Sequence, residues 1–595
     1  MKNNELEQIR REIALLPPGY LSKKTIYGKE RYYLQWTENG KKKSKYIDEA
    51  TAKDLQVKIE RRRELQKKEK ELLANHKENE PKSIDSGEHR FKTNVIYGDE
   101  LSRFVSFVKE FKKRRLFRDI QDFIYGSNHT KVLILYGLRR TGKTTLIRQT
   151  IAEMNEKDFS EAVFMQITPG IELSDVNEDL KTLLKLGFKY VFIDEVTLLS
   201  DFIEGAALFS DIYASCGMKI VLSGTDSLGF FFAEDEQLYD RSIFVHTTFI
   251  PYKEFEEVLG IKGIDEYIRY GGTMSLGGVR YNDESTFASK ESTDEYVDSA
   301  IAKNIQHSLK HYQNGNHFRA LYSLYEKNEL TSVINRVVED TNHRFTLDVL
   351  TRDFLSHDLG ISARNLRKDR AAPNDILDHI DKALFTKRLK KALEIKNKDE
   401  QAVKINEEHQ LEIKEYLDAL GLTNDIEVRS LPVGDTPFFK TVFVQPGIRF
   451  AQAYDFVRSL LLDKAFQNLP LIERNAIIDR ILNDIKGRMM EDIVLLETKI
   501  ANPKKQVFQL HFAVGEFDMV IADEETSTCE IFEIKHSQER VPEQYRHLID
   551  EGKLAKTELR YGRITKRAVV YRGDDFTLDN GIQYLNVERY LKSLY

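Results

Sequence analysis

Short apolar runs alternate with helical patterns between about residues 95 and 250. The runs stand at 132–136, 162–167, 190–194, 219–224 and 242–247. Strands that are buried on both faces read as nearly continuous apolar runs, and their alternation with helices is typical of a parallel sheet. The pattern therefore predicts an α/β domain with a parallel sheet over residues 95–250.

Elsewhere along the chain the pattern changes. Residues 1–80 combine a strand-like stretch, a turn at Asn39–Gly40 and a long charged helix, which predicts a small basic β-hairpin and helix module. The polar residues 81–94 are typical of a linker. Helical periodicity dominates residues 251–425 and predicts a helical lid, whereas residues 426–595 contain two strands around a polar turn and predict a second α/β domain.

One stretch of the predicted lid, residues 346–369, has the spacing of two short helices around Gly360. That spacing is similar to the helix-turn-helix of winged-helix domains, and it is also compatible with a two-helix corner inside the lid. In the first case, the residues facing a groove would be Ser362, Arg364, Asn365 and Arg367.

The first apolar run leads into the sequence GLRRTGKTT. Two glycines at this spacing let the backbone curl so that successive N–H groups point at phosphates. Lys143 can then reach the terminal phosphates, and the Thr144 hydroxyl can reach magnesium beside the positive end of a helix. The motif predicts a nucleoside-triphosphate site formed by Gly137, Arg140, Thr141, Gly142, Lys143, Thr144 and Thr145.

The ends of later strands supply further candidates for this site. Asp194 would hold magnesium and Glu195 would act on the attacking water, although an acidic pair after a strand can also cap a helix. Ser223 stands where a sensor of the γ-phosphate belongs, with a plain turn as the alternative. Arg241 would contact a phosphate in its own or a neighbouring subunit, unless it is a surface arginine.

A second candidate site lies near the C-terminus. Folded as a hairpin about the turn DEETST, the chain places Asp518 opposite Glu533, with Lys535 on the same face. Two carboxylates and a lysine on adjacent strands predict a magnesium site that acts on a phosphodiester, and a hairpin with solvated charges is the alternative. The remaining candidates are a third carboxylate on an upstream helix and two side chains on a downstream helix: Glu491, Gln544 and His547.

Composition narrows the class of protein. The chain has 595 residues, 41% hydrophobic and 31% charged, as in ordinary multidomain proteins. No run approaches the roughly 18 apolar residues of a membrane span, and the charged start does not resemble a signal peptide. The two cysteines, Cys216 and Cys529, exclude a disulfide framework and a cysteine zinc site. We therefore expect a cytoplasmic protein without a membrane partner.

The net charge of −6 argues against wholesale coating of nucleic acid. Residues 1–80 are nevertheless basic, and they contain Tyr32, Tyr33 and Trp36. This combination predicts either binding of nucleic acid by phosphate contacts and stacking, or a solvated hairpin.

Six motifs occur in the order GLRRTGKTT, FIDE, SGTDS, YIRYGG, YVDSAIAKNIQ and a late E…D…EIK set. With them, residues 95–595 resemble prokaryotic P-loop ATPases, related to the archaeal AAA-like and STAND ATPases, that carry a C-terminal restriction-endonuclease-like (PD-(D/E)xK) domain. The resemblance implies a strand order of 5-1-4-3-2 in the first domain. The chain departs from it at Thr273, where relatives often have proline after the paired glycines.

The resemblance also implies roles for individual residues. ATP and Mg²⁺ would bind at Gly142, Lys143, Thr144 and Asp194, with Glu195 as the hydrolytic base. Nuclease roles, with Mg²⁺ or Mn²⁺, would fall on Glu491, Asp518, Glu533 and Lys535. The expected function is an ATPase, in a homo-oligomer, whose nucleotide state controls a C-terminal metal-dependent domain that acts on DNA, with foreign DNA as a target. The alternative is an ATPase switch or scaffold that binds DNA or protein through an inactive nuclease-like fold.

Overall fold

The computed structural model divides the chain into two compact units, Met1–Arg90 and Phe91–Tyr595. The residues that the structure describes are 16–17, 20–26, 29–38, 41–48, 51–52, 55–62, 64–65, 90–199, 201–233, 237–274, 283, 285–311, 318–355, 405–431, 438–459, 466–468 and 470–595.

The first unit contains a three-stranded antiparallel sheet in which each strand pairs with the next. Its strands are β1 (Tyr20–Ile26), β2 (Lys29–Glu38) and β3 (Lys41–Ile47). Glu38 pairs with Lys41, so the connection between β2 and β3 spans two residues, Asn39–Gly40. Residues 55–62, which follow the sheet in the chain, are helical.

A six-stranded sheet, called the parallel sheet below, begins the second unit. Its strands are β4 (Asn94–Ile96), β5 (Val132–Tyr136), β6 (Ala162–Gln166), β7 (Tyr190–Asp194), β8 (Lys219–Gly224) and β9 (Ser242–His246). They lie in the order β4-β6-β7-β8-β5-β9, where β4 is antiparallel to β6 and the other pairs are parallel. The five parallel strands, counted along the chain, thus run 5-1-4-3-2. The parallel sheet that the apolar runs predicted is confirmed.

Apolar cores cover both faces of the parallel sheet. Val132 and Ile134 face one core and Leu133 and Leu135 face the other, because successive side chains of a strand point to opposite sides. The helices of this region are α1 (Gly98–Val105), α2 (Leu116–Tyr125), α3 (Lys143–Ala152), α4 (Glu156–Ser160), α5 (Leu173–Lys185), α6 (Phe202–Gly205) and α7 (Ser227–Ala233). Burial on both sides explains why these strands lack alternating polar residues.

An eight-stranded mixed sheet, called the C-terminal sheet below, ends the second unit. Its strands are β10 (Thr423–Leu431), β11 (Phe438–Phe443), β12 (Gln506–Phe512), β13 (Glu516–Asp523), β14 (Thr528–Lys535), β15 (Arg563–Tyr571), β16 (Phe576–Thr577) and β17 (Gln583–Asn586). Their order is β11-β10-β12-β13-β14-β15-β17-β16. Strands β12, β13 and β14 form an antiparallel meander, and β15 is parallel to β14.

Helices connect and flank the two sheets. After β9 come α8 (Tyr252–Leu259), α9 (Ile264–Tyr270), α10 (Lys290–Tyr296), α11 (Lys303–His311), α12 (Arg319–Glu326), α13 (Leu330–Leu355) and α14 (Glu407–Ala419). Within the C-terminal part lie α15 (Pro446–Ser459), α16 (Leu471–Ala501), α17 (Glu551–Tyr561) and α18 (Val587–Ser593). The described helices include none that combines the length and the apolar character needed to cross a membrane.

The helices predicted as one lid over residues 251–425 divide between two apolar cores. Tyr252 of α8 and Ile268 of α9 lie in the same core as Ile485 and Val494 of α16. Helices α11, α12 and α14 contribute instead to a separate core, and α13 contributes to both cores. Helices α8 and α9 therefore pack with the C-terminal sheet although they directly follow the parallel sheet.

The predicted winged-helix segment is only partly described. Residues 346–355 belong to the single long helix α13. The groove-facing candidates of that prediction lie outside the described residues: Ser362, Arg364, Asn365 and Arg367.

Gly562 and Gly581 offer a matched pair for testing the packing of the C-terminal sheet. Both adopt a positive φ, +87° and +81°, which costs an alanine about 1–2 kcal/mol. A Cβ on Gly562 would lie 2.0 Å from the Ser527 carbonyl oxygen, whereas a Cβ on Gly581 would meet nothing within 4 Å. We expect Gly562→Ala to lower the free energy of unfolding by about 1–3 kcal/mol more than Gly581→Ala, measured by urea denaturation. Equal losses would contradict the close approach of the β13–β14 turn to the start of β15.

Candidate functional site

The segment after β5, residues 137–142, has the geometry of a phosphate loop. Gly137 has a φ of +139°, and a Cβ there would lie 2.6 Å from Thr247 Oγ1. Gly142 has a φ of +90° and directly precedes α3. Both positions favour glycine, because residues with a side chain rarely adopt positive φ. The phosphate loop thus leads into the N-terminal end of α3, where anions bind favourably.

Lys143 is held against this loop. Its Nζ donates hydrogen bonds to the carbonyl oxygens of Gly137 at 2.8 Å and Leu138 at 3.0 Å. Burial lowers the pKa of Lys143 to about 8, although the charges of Glu195 and Asp194 act in the opposite direction. An ammonium group bound only to neutral carbonyls gains by exchanging them for anionic oxygens.

Three oxygen-bearing side chains meet where α3 begins and where β7 and β8 end. Thr144 Oγ1 donates to Asp194 Oδ2 at 2.8 Å, and Ser223 Oγ donates to Asp194 Oδ1. They meet because β8 lies between β5 and β7, and parallel strands end at the same edge of a sheet. Hydroxyl and carboxylate oxygens are ligands that Mg²⁺ prefers, so Thr144 and Asp194 fit this ion.

Glu195 follows the end of β7 in a rare backbone conformation, with a φ of +57°. Thr225 Oγ1 donates to Glu195 Oε2 at 3.3 Å. Burial raises the pKa of Glu195, and the charge of Lys143 lowers it. Positive φ at a residue other than glycine is concentrated at functional sites, and the role of Glu195 in orienting water stays a prediction.

The other predicted loop residues use their side chains to fix the loop. Thr141 Oγ1 donates to the Leu138 carbonyl oxygen at 2.7 Å, and Arg140 donates to Thr286 Oγ1 at 3.0 Å. Thr145 lies half-buried in the first turn of α3. A phosphate contact of Thr141 would therefore come from its backbone N–H group, whereas the Arg140 guanidinium has further N–H groups that can donate.

Arg241 lies far from the phosphate loop of its own chain, so the predicted contact in cis is wrong. It precedes β9, and its carbonyl oxygen accepts a hydrogen bond from Val132 N at the start of β5. The phosphate loop follows the opposite end of β5, five residues or roughly 16 Å away. On this opposite edge, Arg241 pairs with Asp211 at 3.0 Å.

Arg114 belongs to the site although no motif indicated it. Its buried guanidinium pairs with Glu254 at 2.6 Å and donates to the carbonyl oxygens of Thr141 at 2.7 Å and Thr247 at 2.9 Å. It thereby joins the phosphate loop to the segment after β9. In the sequence Arg114 stands in the run KKRR, which is typical of a solvated surface. The sequence therefore does not distinguish this buried arginine from the exposed cations beside it.

In the C-terminal sheet, β13 and β14 have the register that the hairpin pattern predicted. Met519 pairs with Phe532, and the same register continued by one residue places Asp518 opposite Glu533. Both carboxylates are buried. The structure thus brings two carboxylates from adjacent strands together in the interior of the sheet.

Lys535 completes this group, and we call Asp518, Glu533 and Lys535 the triad. Lys535 Nζ lies 2.7 Å from Asp518 Oδ2 and 2.7 Å from Glu533 Oε2. Glu533 Oε1 is buried without a hydrogen-bond partner among the described residues. Burial raises the pKa of Glu533 well above its usual value. Burial alone would lower the pKa of Lys535, but the two carboxylates raise it.

Glu491, the predicted third carboxylate, lies on α16 beside the triad. Its partner is Arg488, which also lies 3.8 Å from Glu516. Burial raises the pKa of Glu491 to about 7, against the positive charge of Arg488 and with the negative charge of Asp518. Glu491 therefore interacts with the triad electrostatically while an arginine holds its carboxylate.

The two downstream candidates differ in position. Gln544 stabilises the 3₁₀-helical segment Pro542–Ile549, where its Nε2 donates to the Glu539 carbonyl oxygen at 2.9 Å. His547 Nδ1 accepts a hydrogen bond from Lys553 Nζ at 2.5 Å. Burial, together with the charge of Lys553, lowers the pKa of His547 to about 4, so this imidazole is neutral at physiological pH.

Cationic side chains hold all three carboxylates predicted to share a metal. Among the described residues, no three acidic, histidine or cysteine side chains form a group that could hold a metal ion. The Lys535 ammonium lies between Asp518 and Glu533, where a shared cation would bind. The two carboxylates offer oxygen ligands of the kind that Mg²⁺ prefers, and Glu533 Oε1 has no hydrogen-bond partner among the described residues, while Lys535 lies between them.

The short helix α9 contacts the end of β14 next to the triad. At its first turn, Asp265 pairs with His536 at 2.9 Å and with Arg572 at 2.7 Å. Burial alone would raise the pKa of Asp265, but the hydrogen bond with His536 and the charges of Lys486 and Arg572 lower it to about 2. His536 directly follows Lys535 in the chain. The ion pair with Asp265 therefore joins α9 to the neighbour of a triad residue.

The segment after the other end of α9 contacts the phosphate loop. The turn Gly271–Gly272 leaves no room for a side chain, since a Cβ on its second glycine would lie 2.4 Å from Gln445 Cβ. Thr273, at the departure from the family pattern, is buried. The next residue, Met274, donates its N–H to the Arg140 carbonyl oxygen at 2.7 Å. Helix α9 and the segment after it therefore contact His536, beside the triad, at one end and the phosphate loop at the other.

Nucleotide binding should take up protons near pH 8. Because burial lowers the pKa of Lys143 to about 8, a growing fraction of this lysine is neutral above that pH. Anionic phosphates favour the protonated form, so binding draws a proton from solvent and the apparent affinity for MgATP falls as pH rises through 8. Titration calorimetry in buffers of different ionisation enthalpy measures the uptake.

Two variants complete this experiment. Lys143→Met should lose nucleotide binding altogether. Lys219→Met is the matched control. Lys219 is a second buried lysine, at the start of β8 and away from the phosphate loop, and it donates to the carbonyl oxygens of Gly126 and Asn128. Proton uptake that persists unchanged from pH 7 to pH 9 in calorimetry, or none at any pH, would contradict the depressed pKa.

Comparison with known families finds a match for the region around the phosphate loop. Residues 129–256 match a family model described as an AAA domain. Residues 3–57 match a domain of unknown function (DUF6788). A comparison with curated protein sequences finds no match.

Solved structures with detectable likeness include Hsp104 of S. cerevisiae in complex with casein, at 14% identity and a TM-score of 0.24. That match covers 47% of this chain and 53%, about half, of the Hsp104 chain. The Aeropyrum pernix ORC2 protein in its ADP form matches at 13% identity and a TM-score of 0.25, covering 65% and 94% of the two chains. ORC1 of the same organism, in complex with DNA, matches at 14% identity and a TM-score of 0.20, covering 58% and 93%. The family match and the geometry of the phosphate loop together identify residues 129–256 as an AAA-type P-loop ATPase domain.

Proposed function

We propose that this protein is an ATPase whose nucleotide state controls a metal-dependent nuclease site in the C-terminal sheet. The observation that carries the proposal is the convergence of Asp518, Glu533 and Lys535 at the ends of adjacent strands. The link from this triad through α9 to the phosphate loop supports the control by nucleotide.

At the first site, Lys143 would leave its carbonyl partners and bind the terminal phosphates of ATP. Thr144 and Asp194 would hold Mg²⁺, which neutralises phosphate charge when bound. Glu195 would orient the attacking water, and Ser223 would lie near the γ-phosphate. Catalysis here is positioning and electrostatic stabilisation by groups that the parallel sheet already places together.

At the second site, the order of elements supports a restriction-endonuclease-like fold. Helix α16 is followed by the meander β12–β14, then by α17 and the parallel strand β15. Asp518 and Glu533, with Glu491 nearby, would hold Mg²⁺ or Mn²⁺, which supplies Lewis-acid stabilisation when bound. Because the carboxylates raise the pKa of Lys535, this lysine would stabilise negative charge on the phosphodiester rather than accept a proton.

Positive charge around the triad favours a polyanionic substrate, and DNA is the substrate we propose. Lys553 Nζ lies 2.5 Å from His547 Nδ1 and Arg546 Nε lies 3.3 Å from His547 Nε2, so two cations flank this imidazole. Clustered cations raise the local concentration of polyanions even on a protein whose net charge is −6.

Control would pass along α9. A nucleotide that reshapes the phosphate loop changes the hydrogen bond between Met274 N and the Arg140 carbonyl oxygen. A rigid seven-residue helix transmits that displacement to Asp265 at its other end. Asp265 holds His536, so its displacement would release Lys535 from the carboxylates and allow the metal to bind.

One observation favours a second candidate function, an ATPase switch or scaffold that does not cut. Lys535 fills the position between Asp518 and Glu533, and the part of the chain that the structure describes has no metal-type cluster. In that case the C-terminal sheet would bind DNA or protein through an inactive nuclease-like fold.

For the physiological setting we propose a cytoplasmic prokaryotic protein that acts on foreign DNA as a homo-oligomer. Half of the Arg241 side chain is exposed. An exposed arginine at the edge of the sheet opposite its own phosphate loop is available to a neighbouring subunit, so the role of Arg241 in trans remains part of this proposal.

Lys535→Ala should abolish metal-dependent DNA cleavage, by about 100-fold or more, because it removes the charge that stabilises the phosphodiester. ATP hydrolysis should be unchanged, since Lys535 lies at the second site. The measurement uses linear and supercoiled DNA with Mg²⁺ or Mn²⁺, with and without ATP. Lys566→Ala is the matched control, because Lys566 lies on the neighbouring strand β15 and pairs with Glu530 at 3.9 Å.

Asp518→Ala, measured in parallel, should lose cleavage in the same way. Full cleavage by the Lys535→Ala variant would contradict the assignment of nuclease activity to the triad. If the wild-type protein hydrolyses ATP but cuts no DNA under any condition, the switch that binds without cutting is the better function.

Asp265→Asn should uncouple the two sites. The hydrolysis of ATP should stay within about twofold of wild type, while a nonhydrolysable ATP analogue should no longer change amide hydrogen exchange at residues 533–537. Lys592→Ala is the control, because Lys592 of α18 pairs with Glu256 of α8 at 3.1 Å and so joins the same two regions away from β14. A response to the analogue that is as large in Asp265→Asn as in wild type would rule out this route.

A further inference from the structure

The connection between α1 and α2 carries a dense positive charge. Residues 103–118 have a net charge of +6, whereas the whole chain has a net charge of −6. Of the seven cationic residues in this stretch, Arg114 is buried and the other six are exposed. The exposed residues are Arg103, Lys109, Lys112, Lys113, Arg115 and Arg118. This stretch is therefore a local cationic surface on an acidic protein.

Part of this charge is not compensated by neighbouring acids. Lys113 pairs with Glu153 at 2.7 Å. For Lys109, Lys112 and Arg118, no acidic side chain lies within ion-pair distance among the described residues. Uncompensated cations on one surface attract a polyanion and release its counterions on binding.

Two phenylalanines lie exposed beside these cations. Phe107 and Phe111 each expose 51% of their surface, and their rings meet edge to face at 5.9 Å. Exposed aromatic rings are unfavourable in water, so a ligand that covers them would stabilise this surface. A ligand that combines apolar faces with negative charge fits the rings and the neighbouring cations. Nucleic-acid bases stack on aromatic rings while the phosphates bind the cations.

The surface is held in place by the helix that carries the phosphate-loop lysine. The Arg148 guanidinium of α3 lies 3.7 Å from the ring centre of Phe104 and 4.8 Å from that of Phe107. The adjacent Gln149 donates its Nε2 to the carbonyl oxygens of Phe111 at 3.1 Å and Lys112 at 3.3 Å. Because the segment is already ordered, a ligand pays little entropy to bind it.

We propose that this surface, which precedes the AAA domain in the chain, binds single-stranded nucleic acid. Lys109, Lys112 and Arg118 contact phosphates, and Phe107 and Phe111 stack with unpaired bases. Stacking distinguishes this partner from an acidic protein, and it requires bases that are not enclosed in a duplex. The site is separate from the triad and does not depend on whether the C-terminal sheet cuts DNA.

The test is the salt dependence of binding, measured by fluorescence anisotropy with a labelled homopyrimidine oligonucleotide, as DNA and as RNA. A double change, Lys109→Ala with Lys112→Ala, removes two phosphate contacts and should reduce the slope of log affinity against log salt by about 1.4. The matched control changes two exposed lysines of α5, Lys181→Ala with Lys185→Ala, and should keep the wild-type slope. Phe111→Ala should weaken binding about fivefold or more.

The controls separate this site from the triad. Asp518→Ala should keep wild-type affinity for the oligonucleotide, and the basal ATP hydrolysis of the surface variants should equal that of wild type. Thermal unfolding checks that each variant is folded. Equal salt slopes in the two double variants, or full affinity in Phe111→Ala, would overturn the proposal. So would tighter binding to a duplex, or to vesicles containing phosphatidylserine, than to the single strand.

Discussion

Both candidate sites depend on a lysine that lies beside carboxylates at the ends of strands: Lys143 is buried, and the Lys535 side chain is 32% exposed. A buried charge is costly unless an opposite charge or a set of dipoles compensates it. Around Lys143 the compensation comes from carbonyl oxygens of the phosphate loop, and around Lys535 it comes from Asp518 and Glu533. A ligand at either site must therefore replace an existing partner of the lysine. Binding at both sites would therefore exchange one set of contacts of the lysine for another.

The cost of that exchange differs between the sites. Lys143 is bound to neutral oxygens, and burial lowers its pKa, so anionic phosphates improve its surroundings. Lys535 is bound to two carboxylates that raise its pKa, so under the proposed function a metal ion would compete with a well-compensated ammonium. The first site is thus ready for its ligand, whereas under the proposed function the second site would open only when another part of the molecule moves. Asp265 of α9 pairs with His536, the residue after Lys535, so a movement of α9 would act on the second site.

Local patterns were enough to predict two features. Continuous apolar runs that alternate with helices predicted the parallel sheet, and a hairpin about a short turn predicted the β13–β14 register. Local patterns were not enough where contacts join distant parts of the chain. The pair Asp265 and His536 spans 271 positions, and nothing in either neighbourhood indicates the other. Arg114 was hidden because burial of one arginine in a basic run depends on which carbonyl groups surround it. Arg241 was misplaced because its charge suggested a phosphate, while its position before a strand puts it at the wrong edge.

The apolar contact of α8 and α9 with α16 has a consequence for how such proteins can evolve. The AAA family match ends at residue 256, inside α8, yet Phe255 and Ile268 belong to the core of the C-terminal sheet. A recombination event that joined a different C-terminal region at the end of the family match would leave these side chains facing an unrelated surface. Lineages that exchange this region should therefore exchange the two helices with it, so the unit of inheritance extends into the segment that sequence comparison assigns to the ATPase.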